Sequence, residues 1–179
     1  MENLVEVKNL KKKYGSKEAV RNISFNIKEN EILGLLGPNG SGKTTTIGMM
    51  LGLLKPSNGE ILIDGKKIEE NRIETLQKIN FISPYIELPK KLTVKQNLVV
   101  YCKLYNVSDI KNRIEYLVEK LRLEDLLNRV TGELSSGQKN RASLAKALIN
   151  SPSVLFLDEP TASLDPEIGD FVRSFLENY

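Results

Sequence analysis

The chain has 179 residues, 40% hydrophobic and 27% charged, a composition that places it with single globular domains and excludes a disordered tail. Its longest apolar runs, "ILGLLG" (Ile32 to Gly37) and "VLFL" (Val154 to Leu157), fall far short of the roughly 18 to 20 residues that span a bilayer. A net charge of +3 gives little field to attract nucleic acid, the lack of histidine removes the commonest metal ligand and neutral-pH base, and a single cysteine, Cys102, excludes an internal disulfide.

The N-terminus carries an acid at position 2 and no apolar h-region, so it does not read as a signal peptide and a cytoplasmic location is expected. Polar and apolar residues alternate through "LVEVKNL" and "ISFNI", which predicts two strands of an antiparallel sheet with one packed face. The run Lys11, Lys12, Lys13 reads as a solvated strand end. Next, "EILGLLG" predicts a buried parallel strand that feeds a glycine-rich turn and then a helix over "KTTTIGMMLGLL". "SNGEILIDGKK" predicts a further strand with turn residues at Asn58-Gly59 and Asp64-Gly65.

From about Thr93 to Asn128 apolar residues recur at helical spacing, with Ile114, Leu117, Val118 and Leu121 as a packing seam. Cys102 falls in this region as a small packed hydrophobe. "QKNRASLAKALINSP" sets Ala142, Ala145, Leu148 and Ile149 on one helical face and stops at Ser151-Pro152. Strand "VLFL" then returns to the core, and "PEIGDFVRSFLENY" begins a last helix with proline and acids suited to a first turn.

Two motifs carry chemistry. "GPNGSGKT" satisfies G-x-x-x-x-G-K-[ST], with an apolar run before it and a helical pattern after it. Across Gly37, Pro38, Asn39, Gly40, Ser41 and Gly42, the glycines let backbone N–H groups converge on phosphate oxygens, and the helix N-terminus adds its dipole. Lys43 supplies charge for the β- and γ-phosphates, Thr44 offers a hydroxyl to Mg²⁺, and Thr45 reaches the α-phosphate. "VLFLDE" ends an apolar strand in two carboxylates, where open parallel sheets place ligand groups. Strand alternation separates them: Asp158 is positioned to hold Mg²⁺ through water, and Glu159 to orient or deprotonate the attacking water.

Together with "LSSGQ" (Leu134, Ser135, Ser136, Gly137, Gln138), about twenty residues before the carboxylates, and "SLD" (Ser163, Leu164, Asp165), these motifs resemble the nucleotide-binding domain of an ABC-type ATPase over nearly the whole chain. The resemblance implies an α/β fold: a P-loop NTPase core with a mostly parallel sheet, an N-terminal antiparallel β layer and an inserted helical subdomain. The corresponding segments are 1–92 for the β layer and phosphate-loop core, 93–150 for the helical subdomain and 151–179 for the return to the core. It implies ATP and Mg²⁺ as cofactors, Glu159 as the catalytic residue, and Tyr14 as the aromatic that stacks on adenine. It also implies head-to-tail pairing with a second such domain, identical or homologous. The "LSSGQ" of one domain then closes over the triphosphate held by the other, and Ser163 to Asp165 touch the partner. The serines also suit a helix N-cap.

Three departures from the family pattern stand out. Ser136 replaces a glycine. Ser83-Pro84 occupy the neighbourhood of a hinge glutamine, and Gln96 lies too far along to replace it. The chain stops at Tyr179 without the strand and histidine that follow the last helix in the family, so a fragment with weak hydrolysis on its own is expected. The leading expectation is the ATPase subunit of a transporter of the export branch, working with a separate transmembrane subunit docked near Tyr85 to Leu92 and peripheral to the membrane. The alternatives are a soluble ATPase acting on ribosomes or DNA, or a non-hydrolysing regulatory half.

Overall fold

In the computed structural model the described residues are 3–83, 87–158 and 166–177, the side chains of 166–168 and 172 excepted. They fall into two compact units, residues 1–79 and 80–179.

The first unit is built on an antiparallel sheet of order β2-β1-β3-β4, from strands β1 (Asn3–Tyr14), β2 (Lys17–Lys28), β3 (Asn58–Ile63) and β4 (Lys66–Lys67). Strict alternation would turn Asn9 inward after Val5 and Val7. Instead β1 bulges at Asn9, whose φ is 49°, and the register shift turns Leu10 into the core. The bulge is held by the Ser24 hydroxyl, which accepts from the Asn9 N–H at 2.8 Å. Gly59 faces it in left-handed geometry, and a Cβ there would meet the carbonyls of Lys8 and Asn9 at 2.4 Å. Asn58-Gly59 therefore serves a close strand crossing inside β3 rather than the expected turn. Asp64-Gly65, with φ of 51° and 70°, does form the predicted hairpin turn between β3 and β4.

Helix α1 (Lys43–Met50) packs Met49 and Met50 into this unit. It is shorter than the apolar pattern predicts because Gly52, at φ 64°, ends it in a Schellman motif. The Leu53 N–H reaches the Gly48 carbonyl at 2.9 Å and the Gly52 N–H the Met49 carbonyl at 3.0 Å. Helix α2 (Arg72–Gln77) was not evident from the sequence pattern. The predicted buried strand over "EILGLLG" is corrected: residues 31–37 belong to no strand, with Ile32 78% and Leu36 96% exposed. An apolar run becomes a strand only when a neighbour takes up its N–H and C=O groups, and neither sheet supplies one here.

The second unit pairs β5 (Ile79–Ile82) with β6 (Val154–Leu157). Between them run α3 (Val94–Leu104), α4 (Ile110–Lys120) and α5 (Ser136–Ala147), a crossover of the kind that parallel strands require. Helix α6 (Pro166–Glu177) follows, opening at the expected proline. The predicted seams are buried: Ile114, Leu117, Val118 and Leu121 from α4 and its end, Ala142, Ala145, Leu148 and Ile149 from α5 and its end. Cys102 is fully buried in the same cluster, and burial pushes its thiol pKa up, as a packing role requires. Among the described residues no helix is long and apolar enough to cross a membrane.

Candidate functional site

The phosphate loop lies in the first unit. Gly42 is the N-cap of α1, in left-handed geometry with φ 95°. A side chain there is excluded twice, by that conformation and by the Ala19 carbonyl, which would lie 2.4 Å from a Cβ. Having no side chain, Gly42 cannot cap α1, and no acidic residue occupies the first turn. The leading amides of α1 therefore face outward without a capping oxygen, the arrangement an anion uses.

Gly37 and Gly40 also adopt positive φ, and the Ser41 N–H donates to the Pro38 carbonyl at 3.1 Å, closing the loop into a turn. The Lys43 ammonium curls back over this turn, donating to the Gly37 and Pro38 carbonyls at 2.5 and 3.0 Å. Two of its three N–H groups thus fix the ammonium over the loop. Thr44 is exposed in the first turn of α1, and Thr45 lies half-buried beside it. Gly42 rests against Ala19 and Val20 of β2; Val20 pairs with Lys12 of β1, and Lys17 pairs with Tyr14. Tyr14, 49% exposed, thus lies on the same hairpin as the contact with Gly42, a few residues along. The Lys12 ammonium sits 5.1 Å from the Tyr14 ring centroid.

The second unit carries the remaining candidates. Ser135 is the N-cap of α5 and forms a capping box with Gln138: the Gln138 N–H donates to Ser135 Oγ at 3.3 Å, and the Ser135 N–H donates to Gln138 Oε1 at 3.0 Å. Leu134 anchors the turn in the core, while Ser135 and Ser136 are exposed. Gly137 and Gln138 are half-buried. The serine cap expected from sequence is present.

Asp158 follows β6, and its N–H donates to the Ile82 carbonyl at 2.9 Å. Its carboxylate accepts a long hydrogen bond, 3.4 Å, from the Ser83 hydroxyl. Ser83 is thus placed beside the acid by the adjoining ends of β5 and β6. Sequence reasoning named it only as a departure; the signal was its position one residue past a strand. Gln96 is engaged elsewhere, its Oε1 accepting from the Thr93 N–H at 2.8 Å in the capping box of α3. This removes it as a stand-in for the hinge glutamine. Glu159, Ser163, Leu164 and Asp165 lie outside the described residues. Within the second unit, the Asp158 carboxylate offers oxygen donors, chemistry that fits a hard cation such as Mg²⁺.

Behind β5, the Lys146 ammonium of α5 reaches the Phe81 carbonyl at 3.3 Å and Asn80 Oδ1 at 3.4 Å, with the Tyr101 ring at 5.4 Å. Burial lowers its pKa. Asn80 also donates to Asn150 Oδ1 at 2.9 Å, so α5 and the residues after it grip β5 through two side chains.

A glycine loop at an uncapped helix start, with a lysine folded over it in an α/β chain, defines a P-loop nucleotide-binding protein. The family described as ABC transporter matches residues 20–162, and the chain belongs to it. The chain is 40% identical over 165 residues to Nod factor export ATP-binding protein I of Burkholderia orbicola (strain AU 1054), covering 91% of this chain and 54% of that protein. It is 39% identical over 169 residues to the bacitracin transport ATP-binding protein BcrA of Bacillus licheniformis, covering 93% and 54%. The chain therefore spans about half the length of these curated relatives. A solved ATP-binding cassette, a dimer in a post-hydrolysis state bound to ADP and Pi, matches at TM-score 0.85 and 30% identity, over 96% of this chain and 81% of that one.

Proposed function

We propose that the chain is the ATP-binding and ATP-hydrolysing part of an ABC transporter that drives transport through a separate transmembrane subunit. The observation that carries this reading is the loop from Gly37 to Lys43, whose glycine geometry leaves the first amides of α1 uncapped beneath a positioned ammonium. The loop residues and Lys43 would wrap the triphosphate, Thr45 the α-phosphate, and Tyr14 would stack on adenine. Thr44, and Asp158 through water, would hold Mg²⁺, which neutralises charge developing on the phosphates. Asp158 would be kept in place by its backbone bond to Ile82 and by Ser83. Glu159 would orient and deprotonate the attacking water.

Two copies, or one copy and a homologue, would pair head to tail. Leu134 to Gln138 of each would then cover the nucleotide of the other, with Ser163, Leu164 and Asp165 at the contact. A cytoplasmic position at the inner face of the membrane follows from that role, and the export and transport names of the relatives support the outward direction. Residues 85–92 are the proposed docking segment for the membrane subunit. Within it Glu87 and Lys90 pair at 2.6 Å, and unchanged capture of that subunit after reversing both charges would count against docking there. The primary test is titration with Mg-ATP. Tight binding that Lys43→Ala abolishes is expected, and equal binding by wild type and variant contradicts the reading.

A further inference from the structure

The Lys12 side chain is tied down in a way that a solvated strand-end lysine is not. Its ammonium donates to the Lys55 carbonyl at 2.6 Å, in the segment between α1 and β3, and lies 5.1 Å from the centre of the Tyr14 ring. Positions 12 and 14 share a face of β1, so the cation covers one side of the ring at its root. Lys13, one residue on, instead pairs with Glu18 across the hairpin at 2.9 Å, which keeps that carboxylate away from the ring cation. The strand pair that holds Lys12 and Tyr14 also touches the phosphate loop, through Val20 and Ala19 against Gly42.

We propose that Lys12 is a positioning residue for nucleobase recognition: its ammonium, anchored on the Lys55 carbonyl, occupies one face of the Tyr14 ring and reserves the other for the base. This rests on the reading of Tyr14 as the stacking aromatic. Two physical effects act together. A cation on one face draws ring electron density toward itself, making the opposite face a better partner for an electron-rich purine. Pinning the ring in one orientation also removes part of the ordering cost that stacking would otherwise carry. Both effects act at the base, so the loss on removing Lys12 should fall on ATP and not on a ligand that lacks a base.

The experiment compares ATP with inorganic tripolyphosphate, which shares the phosphates and lacks the base, by calorimetric titration of the full chain. Lys12→Met is expected to weaken ATP binding about two- to fivefold, the range of an exposed cation–π contact. It should leave tripolyphosphate binding unchanged, which also shows that the loop is folded. Lys12→Arg should restore ATP affinity, because a guanidinium also sits over an aromatic face. In a Tyr14→Ala background Lys12→Met should have no further effect. An equal loss for both ligands would overturn the proposal by making Lys12 a phosphate or folding residue. So would an unchanged ATP affinity in Lys12→Met when Tyr14→Ala weakens it. If Tyr14→Ala itself binds ATP like the wild type, the stacking reading has failed, and the proposal falls with it.

Discussion

Helices α1 and α5 both begin at turns of small residues, yet their first amides are used in opposite ways. At α1 the N-cap is a left-handed glycine with no side chain to offer. At α5 the N-cap is Ser135, and a reciprocal box with Gln138 satisfies the N3 amide and the N-cap amide within the chain. The α1 start therefore leaves its first amides without a capping side chain. The α5 start is capped within the chain and still presents the Ser136 and Gly137 amides and two serine hydroxyls as donors. A site that must hold a triphosphate needs the first arrangement. On the proposed pairing, the second suits a surface that meets a triphosphate held by a partner.

Substitution at Gly42 tests the first half of this contrast most severely. Gly42→Ala places a Cβ 2.4 Å from the Ala19 carbonyl in a left-handed conformation, so the loop must move. The conformation alone costs about 1–2 kcal/mol. ATP affinity by calorimetry is expected to fall at least about 100-fold, a change of roughly 2.7 kcal/mol. Near-wild-type affinity in this variant would mean that the loop does not hold the nucleotide.

The second half predicts a different pattern. Ser135→Ala breaks the capping box and should cost about 1 kcal/mol, lowering Tm by about 2–4 °C. Affinity of the monomer for ATP should not change, and Ser135→Thr should recover the stability. If monomer affinity drops together with Tm, α5 serves its own chain's nucleotide and the contrast collapses.

A smaller effect sharpens the contrast by asking how firmly α5 is seated. Burial lowers the Lys146 pKa in the folded chain below its unfolded value of 10.5. The unfolded state therefore binds more protons between the folded pKa and 10.5, and stability rises with pH across that window. Conversely, this contribution is lost as pH falls through the folded pKa. Lys146→Met removes the titration, so denaturant melts should show wild type gaining on the variant as pH approaches 10.5. Parallel stability curves over that alkaline range would mean that burial does not penalise the ammonium.

The contrast between the two helix starts also marks how far the sequence could be read. The glycines at 37, 40 and 42, the serine cap at 135 and the helical seams were legible because each rests on a local rule: a permitted φ, a short hydroxyl, a spacing of three and four. The hairpin of β1 and β2 was legible from alternation, but its bulge at Asn9 was not, because the bulge answers to Gly59 on another strand. "EILGLLG" misled for the same reason, since apolar content reports a tendency to be buried and carries no information about a pairing partner. The Ser83–Asp158 contact and the Lys12–Tyr14 stack likewise join residues whose meeting depends on the ends of strands or on the backbone at Lys55. Function read through motifs was therefore clearer than the packing around them.

The most direct measurement is light scattering on the chain carrying Glu159→Gln, with and without Mg-ATP, repeated with Ser135 and Ser136 both changed to Ala. A dimer should form only with Mg-ATP and disappear in the serine variant, while ATP binding persists in both. A chain that binds ATP and stays monomeric, or a dimer indifferent to the two serines, would contradict the claim that α5 closes over a partner's nucleotide.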